Sequence, residues 1–528
     1  MKRGAVGLLV ALFSLVACGG HDGAPVTPVA GTAAAAPSAP RPMSGSELPE
    51  PPVIKSVNGV AKVELEAAQN YTNGLPTFDY QSANDVAPTI EVKPGDTIVV
   101  NLQNDLPDVP PPATVQHTMQ MDGMRPDTGA QEEMNLHFHG LGSSPKRPAD
   151  DVLTMLAKPG ESLHYVVHVP ANQEPGLYWY HPHVHGETNF QVGESGMSGA
   201  IVVDGLERHL PGLKKMTQRL IVVRAVGLGG DDVRPAGSNT APCVTKDGLT
   251  TTLNNVVTPV ITIAPGEKQF FRLVNATGHR TLKLKVDGER LELVAIDGFA
   301  LDTFPGTPPT KMLSSIIVPP AGRAEFVVTG PANGHARFRT LCYNTGPNGD
   351  PDPPLVLGDL RAPARGTHVR VARNESQLRV GEPLPSNSYS TALPPPSIKR
   401  VVVMSENGKP QFFINGKPYK VNAPPMFVVH TGTTELWQIE NVTEEIHDFH
   451  IHQTHFVVEK INGVAVDHPH WADSVVVPHR RTVGGKTVPG TLSLLMDFRD
   501  PTIKGEFLFH CHILDHEDQG MMAKIQAI

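Results

Sequence analysis

Thr89-Ile-Glu-Val-Lys-Pro-Gly-Asp-Thr-Ile-Val-Val-Asn-Leu102 is two apolar–polar alternations joined by Pro94-Gly95. Side chains on a strand alternate faces, so each half reads as a half-buried strand, and the Pro-Gly pair supplies the turn between them. A similar phrase recurs as Val260-Ile-Thr-Ile-Ala-Pro-Gly-Glu-Lys-Gln-Phe-Phe-Arg-Leu-Val-Asn275. A looser version is Pro425-Met-Phe-Val-Val-His-Thr-Gly-Thr-Thr-Glu-Leu-Trp-Gln-Ile-Glu-Asn441. Each runs strand, glycine turn, strand, then Asn. Three copies about 165–170 residues apart point to three homologous β-sandwich domains.

The rest of the chain suits that reading. Its 528 residues exceed what one core usually holds, and its 49 Gly and 51 Pro are spread throughout, favouring short strands and turns over long helices. The predicted domains are residues 53–206, 207–370 and 385–528. Pro-rich segments (Arg361-Ala-Pro-Ala-Arg365 and Leu393-Pro-Pro-Pro396) mark the second joint. The formal net charge is −9 with no Lys/Arg block, so nucleic acid is not an expected partner.

The N-terminus reads as a targeting segment. Lys2 and Arg3 precede an apolar run over residues 5–17, too short to anchor stably across a bilayer. Residues 1–17 are expected to be a signal peptide. Leu15-Val-Ala-Cys18 resembles a bacterial lipobox, in which Cys18 becomes a lipidated first residue attached to a membrane. An ordinary secretory signal with a chance cysteine is the alternative. No twin-arginine pair is visible, so the chain is expected to cross the membrane unfolded and to meet its cofactor outside, in the periplasm or cell envelope. Residues 18–52 are rich in Ala, Pro, Gly, Ser and Thr and are predicted to form a disordered tether.

Of the four cysteines, Cys18 ends this segment and Cys511 lies between two histidines. Cys243 and Cys342 remain as the candidates for a structural disulfide, a pairing that sequence alone does not establish.

Histidine carries the chemistry. With 24 His in 528 residues, roughly one His-x-His pair would arise by chance; six occur. Four lie in strand-like surroundings: His137/His139, His181/His183, His450/His452 and His510/His512. On a strand, i and i+2 share a face about 6.6 Å apart, so each pair can ligate neighbouring metals. Imidazole suits Cu, Zn, Fe and Ni, and the lack of adjoining carboxylates argues against Mg, Ca and Mn. Cys511 points away from His510 and His512 on the same strand. His447 likewise faces away from His450 and His452. Together Cys511, His447 and His516 make a His2Cys set, with Met521 placed to supply a weak axial thioether, which describes an electron-transfer copper site.

Asn135-Leu-His-Phe-His-Gly140, Trp179-Tyr-His-Pro-His183, His447-Asp-Phe-His-Ile-His452 and His510-Cys-His-Ile-Leu-Asp-His-Glu-Asp-Gln-Gly-Met521 resemble, in order, the four copper motifs of the bacterial laccase-like multicopper oxidases. The resemblance spans residue 53 to the end. It implies an all-β fold of three consecutive cupredoxin-like Greek-key β-sandwich domains. It also implies four coppers: a type 1 ion on His447, Cys511 and His516 with Met521 axial, a type 2 ion on His137 and His450, and two type 3 ions on His139, His181, His183, His452, His510 and His512. The activity it implies is one-electron oxidation of a phenol or aromatic amine coupled to reduction of O2 to water, electrons passing through Cys511 to His510 and His512. Asp448 departs from the family pattern, where Pro commonly follows the first His of that motif.

Proton supply to such a cluster needs a carboxyl group. Glu517, in what reads as a loop after His516, resembles an acid found there in bacterial laccases and is the predicted relay; Asp518 is the reserve. A solvated loop acid is the alternative. His185, His455, His468 and His470 are expected to lie outside the ligand set. Met119, Met121 and Met124, with His117, form a soft cluster that could bind Cu(I). It is the sequence support for an alternative, a cuprous oxidase serving copper tolerance. A metal-free scaffold and a copper nitrite reductase are disfavoured by the complete ligand set and the three apparent domains.

Overall fold

A computed structural model describes residues 45–70, 75–79, 87–107, 132–227, 248–350, 352–364, 389, 392–407 and 411–528. These lie in one compact unit, residues 39–528. Cys18, Cys243, His117 and the Met119/Met121/Met124 cluster lie outside the described residues.

Regular structure in the described residues is mostly strand, arranged as three pairs of facing sheets with a small two-stranded hairpin, Arg481–Val483 and Lys486–Val488, beside them. The first pair is built from strands between Val53–Lys55 and Gly199–Val203, the second from Thr217–Val226 to Leu355–Arg361, and the third from Ile398–Glu406 to Met522–Ala527. Each pair encloses its own apolar core, around Ile98 and Val100, Phe271 and Phe326, and Trp437 and Phe449 respectively.

The repeated phrases occupy equivalent places. Thr89–Val92 and Thr97–Asn104, Val260–Thr262 and Lys268–Asn275, and Phe427–Val429 and Thr433–Asn441 are the paired strands. Gly95, Gly266 and Gly432 all turn with positive φ, which a residue with a Cβ adopts at a cost. In each copy the longer strand runs parallel to a preceding one: Val60–Gln69, Thr217–Val226 or Ile398–Glu406.

The terminal Asn of the first copy is Asn104, not Asn101. Asn101 is exposed and bonds Glu64 and His164 across the strand surface. Asn104, Asn275 and Asn441 are fully buried, and each accepts through Oδ1 from the backbone N–H two residues on. Their amides donate to carbonyls of the next segment, such as Ala157, Arg280 and Glu445. This side-chain turn closes the strand and satisfies backbone groups that a buried corner would strand.

The predicted tether ends earlier than residue 52. Leu48 is buried in the second sandwich's core, its N–H bonds the carbonyl of Val260, and Glu50 pairs with Arg219 at 3.0 Å. An apolar side chain with a vacant strand edge beside it docks despite the polar, Pro-rich sequence around it. Cys342 is disulfide-bonded, with its partner outside the described residues, and Cys511 is free. No described helix is long and apolar enough to cross a membrane.

Candidate metal centre

Two strand pairs, one in the first sandwich and one in the third, carry the histidines. His137–His139 runs antiparallel to Gly176–His181, setting His137 opposite His181. His447–Ile451 runs antiparallel to Gly505–Cys511, setting His450 opposite His510 and Phe449 opposite Cys511. Alternation then sorts the side chains as the sequence predicts. His450, His452, His510 and His512 turn toward the first sandwich, while His447 and Cys511 turn into the third.

Four groups of donor atoms result, each with its atoms within 4.8 Å of one another: His137, His139 and His450; His139, His181 and His512; His183, His452 and His510; and His447, Cys511 and His516. In the last, Cys511 Sγ lies 3.7 Å from His447 Nδ1 and 3.8 Å from His516 Nδ1, and these nitrogens are 3.1 Å apart. Met521 is buried in the same core, and its carbonyl accepts from the Cys511 N–H. Asp448 N–H points at Cys511 Sγ from 3.4 Å. Among the described residues the second sandwich supplies no member of these groups.

The donor chemistry fits a soft cation. Burial pushes His139, His181, His447, His450, His452 and His512 well below the usual imidazole range, and neighbouring rings push the same way. Burial likewise brings His183 and His516 down to about 3. These rings are therefore neutral, with a lone pair each. His137 Nε2, His139 Nδ1, His181 Nε2, His450 Nε2 and His452 Nδ1 are buried with no hydrogen-bond partner. Both nitrogens of His512 are unpartnered as well; unpaired buried polar atoms are rare, and a bound metal would satisfy such a cluster in one place. Burial also raises the Cys511 thiol far above its usual range, so a thiolate there requires a cation.

The opposite nitrogen of several rings is held, which orients the free one. His137 Nδ1 lies 3.0 Å from Asp150, which also accepts the amide of Gln453 at 2.6 Å. His181 Nδ1 bonds the Pro182 carbonyl, His450 Nδ1 that of Asp473 and His510 Nδ1 that of Cys511. His139 is turned the other way, its Nε2 lying 3.2 Å from Asp473 Oδ1. Trp179 stacks on His181 at 4.2 Å. Asp150, Asp473 and Gln453 were not read from sequence. Only the acidic pair Asp150-Asp151, shortly after the first motif, offered a signal.

Glu517 lies in a short helix, Leu514–Asp518, rather than in a loop, and is wholly buried. Its Oε2 is 2.9 Å from His510 Nδ1 and its Oε1 3.5 Å from His183 Nε2. Burial alone would raise this carboxyl, but His510 and His183 outweigh it and hold it below the usual carboxylate range. Asp518 accepts the backbone N–H groups of Gly186, Thr188 and Asn189, so it ties down the segment after the second motif. His185 packs on Tyr419, and His455 bonds the Gly140 carbonyl at 2.9 Å. His468 is exposed and His470 half-buried. None of the four joins a donor group.

Models of one family, multicopper oxidase, match residues 127–208, 179–358 and 392–527. The multicopper oxidase mco of Staphylococcus haemolyticus is 25% identical over 491 residues, spanning 89% of this chain and 90% of its own. The laccase of Bacillus subtilis is 26% identical over 478 residues, spanning 82% and 87%. A multicopper oxidase structure from Campylobacter jejuni, described as a metallo-oxidase, aligns with a TM-score of 0.67 at 22% identity, covering 92% of this chain and 96% of that one. At that identity the likeness is one of fold.

Proposed function

The chain belongs to the multicopper oxidase family, and from that premise we propose that it couples one-electron oxidation of a phenol or aromatic amine to four-electron reduction of O2 to water. The observation that carries this reading is the set of four donor groups, three of imidazole and one with a thiolate. His447, Cys511 and His516 would hold the type 1 copper, with Met521 axial. His137 and His450 would hold the type 2 ion, and the other six histidines the type 3 pair. Bound copper supplies one-electron chemistry at the first site and O2 reduction at the other three.

The chain's own part is connection, orientation and proton handling. Cys511 and its neighbours His510 and His512 join the two centres through one tripeptide. Asp150, Asp473 and three backbone carbonyls orient the rings, and burial excludes bulk water. Glu517 Oε2, beside His510, is the atom we assign to accept and pass on protons at the cluster.

The donor would approach the outer edge of His516, where Phe412 stacks at 4.1 Å and Glu445 Oε1 lies 3.7 Å from Nε2. The similarity to the laccase of Bacillus subtilis supports an organic donor. The Glu445 carboxyl favours a second reading, oxidation of a metal cation such as Cu(I). Turnover under air on a phenol panel and on Cu(I) separates them: activity on phenols with none on Cu(I) supports the first reading, and the reverse overturns it.

Export and anchorage through Cys18 complete the proposal. The support is the sequence of residues 1–18. The full chain should partition into detergent, and Cys18→Ser should release it or block its processing. A wholly soluble wild-type protein with an unmodified N-terminus contradicts this.

A further inference from the structure

We propose that Arg323, from the second sandwich, is a positioning residue for the three-copper cluster: it holds Asp473 so that Asp473 takes His139 Nε2 and leaves Nδ1 as the ligand atom. The inference rests on the copper reading above.

Arg323 begins the strand Arg323–Thr329 and is 1% exposed. Its guanidinium meets all three sandwiches. Nε donates to the Leu177 carbonyl in the first at 3.2 Å. In the second, Nη1 donates to the Ala321 carbonyl and Nη2 to that of Asp297, at 3.2 and 3.1 Å. In the third, Nη1 and Nη2 grip the two oxygens of Asp473 at 2.6 and 2.5 Å. This is the bidentate fork that lysine cannot make.

Asp473 is in turn committed to the cluster. Its Oδ1 takes His139 Nε2 at 3.2 Å and its carbonyl takes His450 Nδ1 at 2.8 Å, so one residue orients a ligand of the first sandwich and a ligand of the third. A second grip comes from Asp297. Its Oδ1 accepts the Arg323 N–H at 2.8 Å, and its Oδ2 faces the N–H groups of Asp473 and Ser474 at 3.4 Å. Asp297 holds φ at 49°, a left-handed conformation that these bonds over-determine.

The bracket also accounts for Gly140, which directly follows His139. A Cβ there would stand 2.5 Å from Arg323 Nη2 and 2.8 Å from Asp473 Oδ2, and φ is +84°. On the His139 ring Nδ1 is free while Nε2 is held by Asp473. Without a fixed acceptor at Nε2, the ring could turn and offer the wrong atom. A buried charge pair used only for stability would need no contact with a ligand ring.

The test uses the full-length, copper-loaded protein with Arg323→Lys, and Asp473→Asn as a second, nearly isosteric variant. Copper uptake is titrated, and electron paramagnetic resonance of the type 2 ion is read beside the blue absorption of the His447, Cys511 and His516 site. Expected are a changed type 2 hyperfine splitting and cluster copper affinity lowered about 10–100-fold, with the blue absorption retained. Two results overturn the proposal: wild-type resonance and copper content in both variants, or joint loss of the blue site and the cluster in both, which would mark the bracket as general stabilisation. Wild-type protein that takes up no copper overturns the reading beneath it instead.

Discussion

Cys511 and His510 are sequence neighbours whose side chains serve different centres: Cys511 Sγ stands 3.7 Å from His447 Nδ1, and His510 Nε2 stands 3.1 Å from His452 Nε2. One strand pleat thus separates the thiolate from the imidazoles while keeping them a few covalent bonds apart. Cys511→Ser should therefore abolish the intense thiolate-to-copper absorption and substrate oxidation, while the cluster retains its copper. Absorption and copper analysis of the variant check this; a blue variant contradicts the ligand assignment.

Glu517→Gln should leave the blue absorption and copper content unchanged, because no ligand is lost. It removes a carboxylate beside His510 and His183 that can take a proton. Positioned acid–base groups contribute about 10²–10⁴-fold, so reoxidation by O2 should slow by about 100-fold or more. Rapid mixing of the reduced variant with O2 measures it. Reoxidation at the wild-type rate would remove Glu517 from the proton path.

His209, between the first two sandwiches, has Nδ1 3.2 Å from Asp302 and Nε2 3.7 Å from Glu174. Burial lowers this imidazole, but the two carboxylates outweigh it and raise it to about 9. The folded protein therefore binds this proton more tightly than the unfolded chain, where the value is about 6.5. The contribution is complete below about pH 6.5 and is lost as pH rises through about 9, on the order of 3 kcal/mol at most. Thermal unfolding of wild type and His209→Gln should differ most at pH 6 and converge by pH 10. A gap that does not change with pH contradicts the ion-pair account.

The clustering of the donor side chains was legible in the sequence because it obeys a local rule. A His-x-His pair on a strand must share a face, and the residue between must not. The repeated glycine turns were legible for the same reason, since positive φ is a property of one residue. What escaped was long-range. Asp473 lies 334 residues from His139 and 150 from Arg323, and nothing near either marks the meeting. The first domain's closing Asn was misplaced by three residues because both Asn101 and Asn104 fit an alternating strand; burial, which alternation alone does not specify, falls on Asn104. Glu517 was read as a loop acid because a five-residue helix has too few turns to show a period. Leu48 was assigned to the tether because composition averages over the single apolar residue that docks.

The central claim is that one chain holds four coppers in two centres of different kinds. The most direct measurement is metal analysis of the copper-loaded protein together with its absorption and electron paramagnetic resonance spectra. The account predicts four coppers per chain, an intense blue absorption from the Cys511 site, and two distinct resonance signals, from the type 1 and type 2 ions. A protein that binds no copper after loading, or that binds it without the blue absorption, would contradict it.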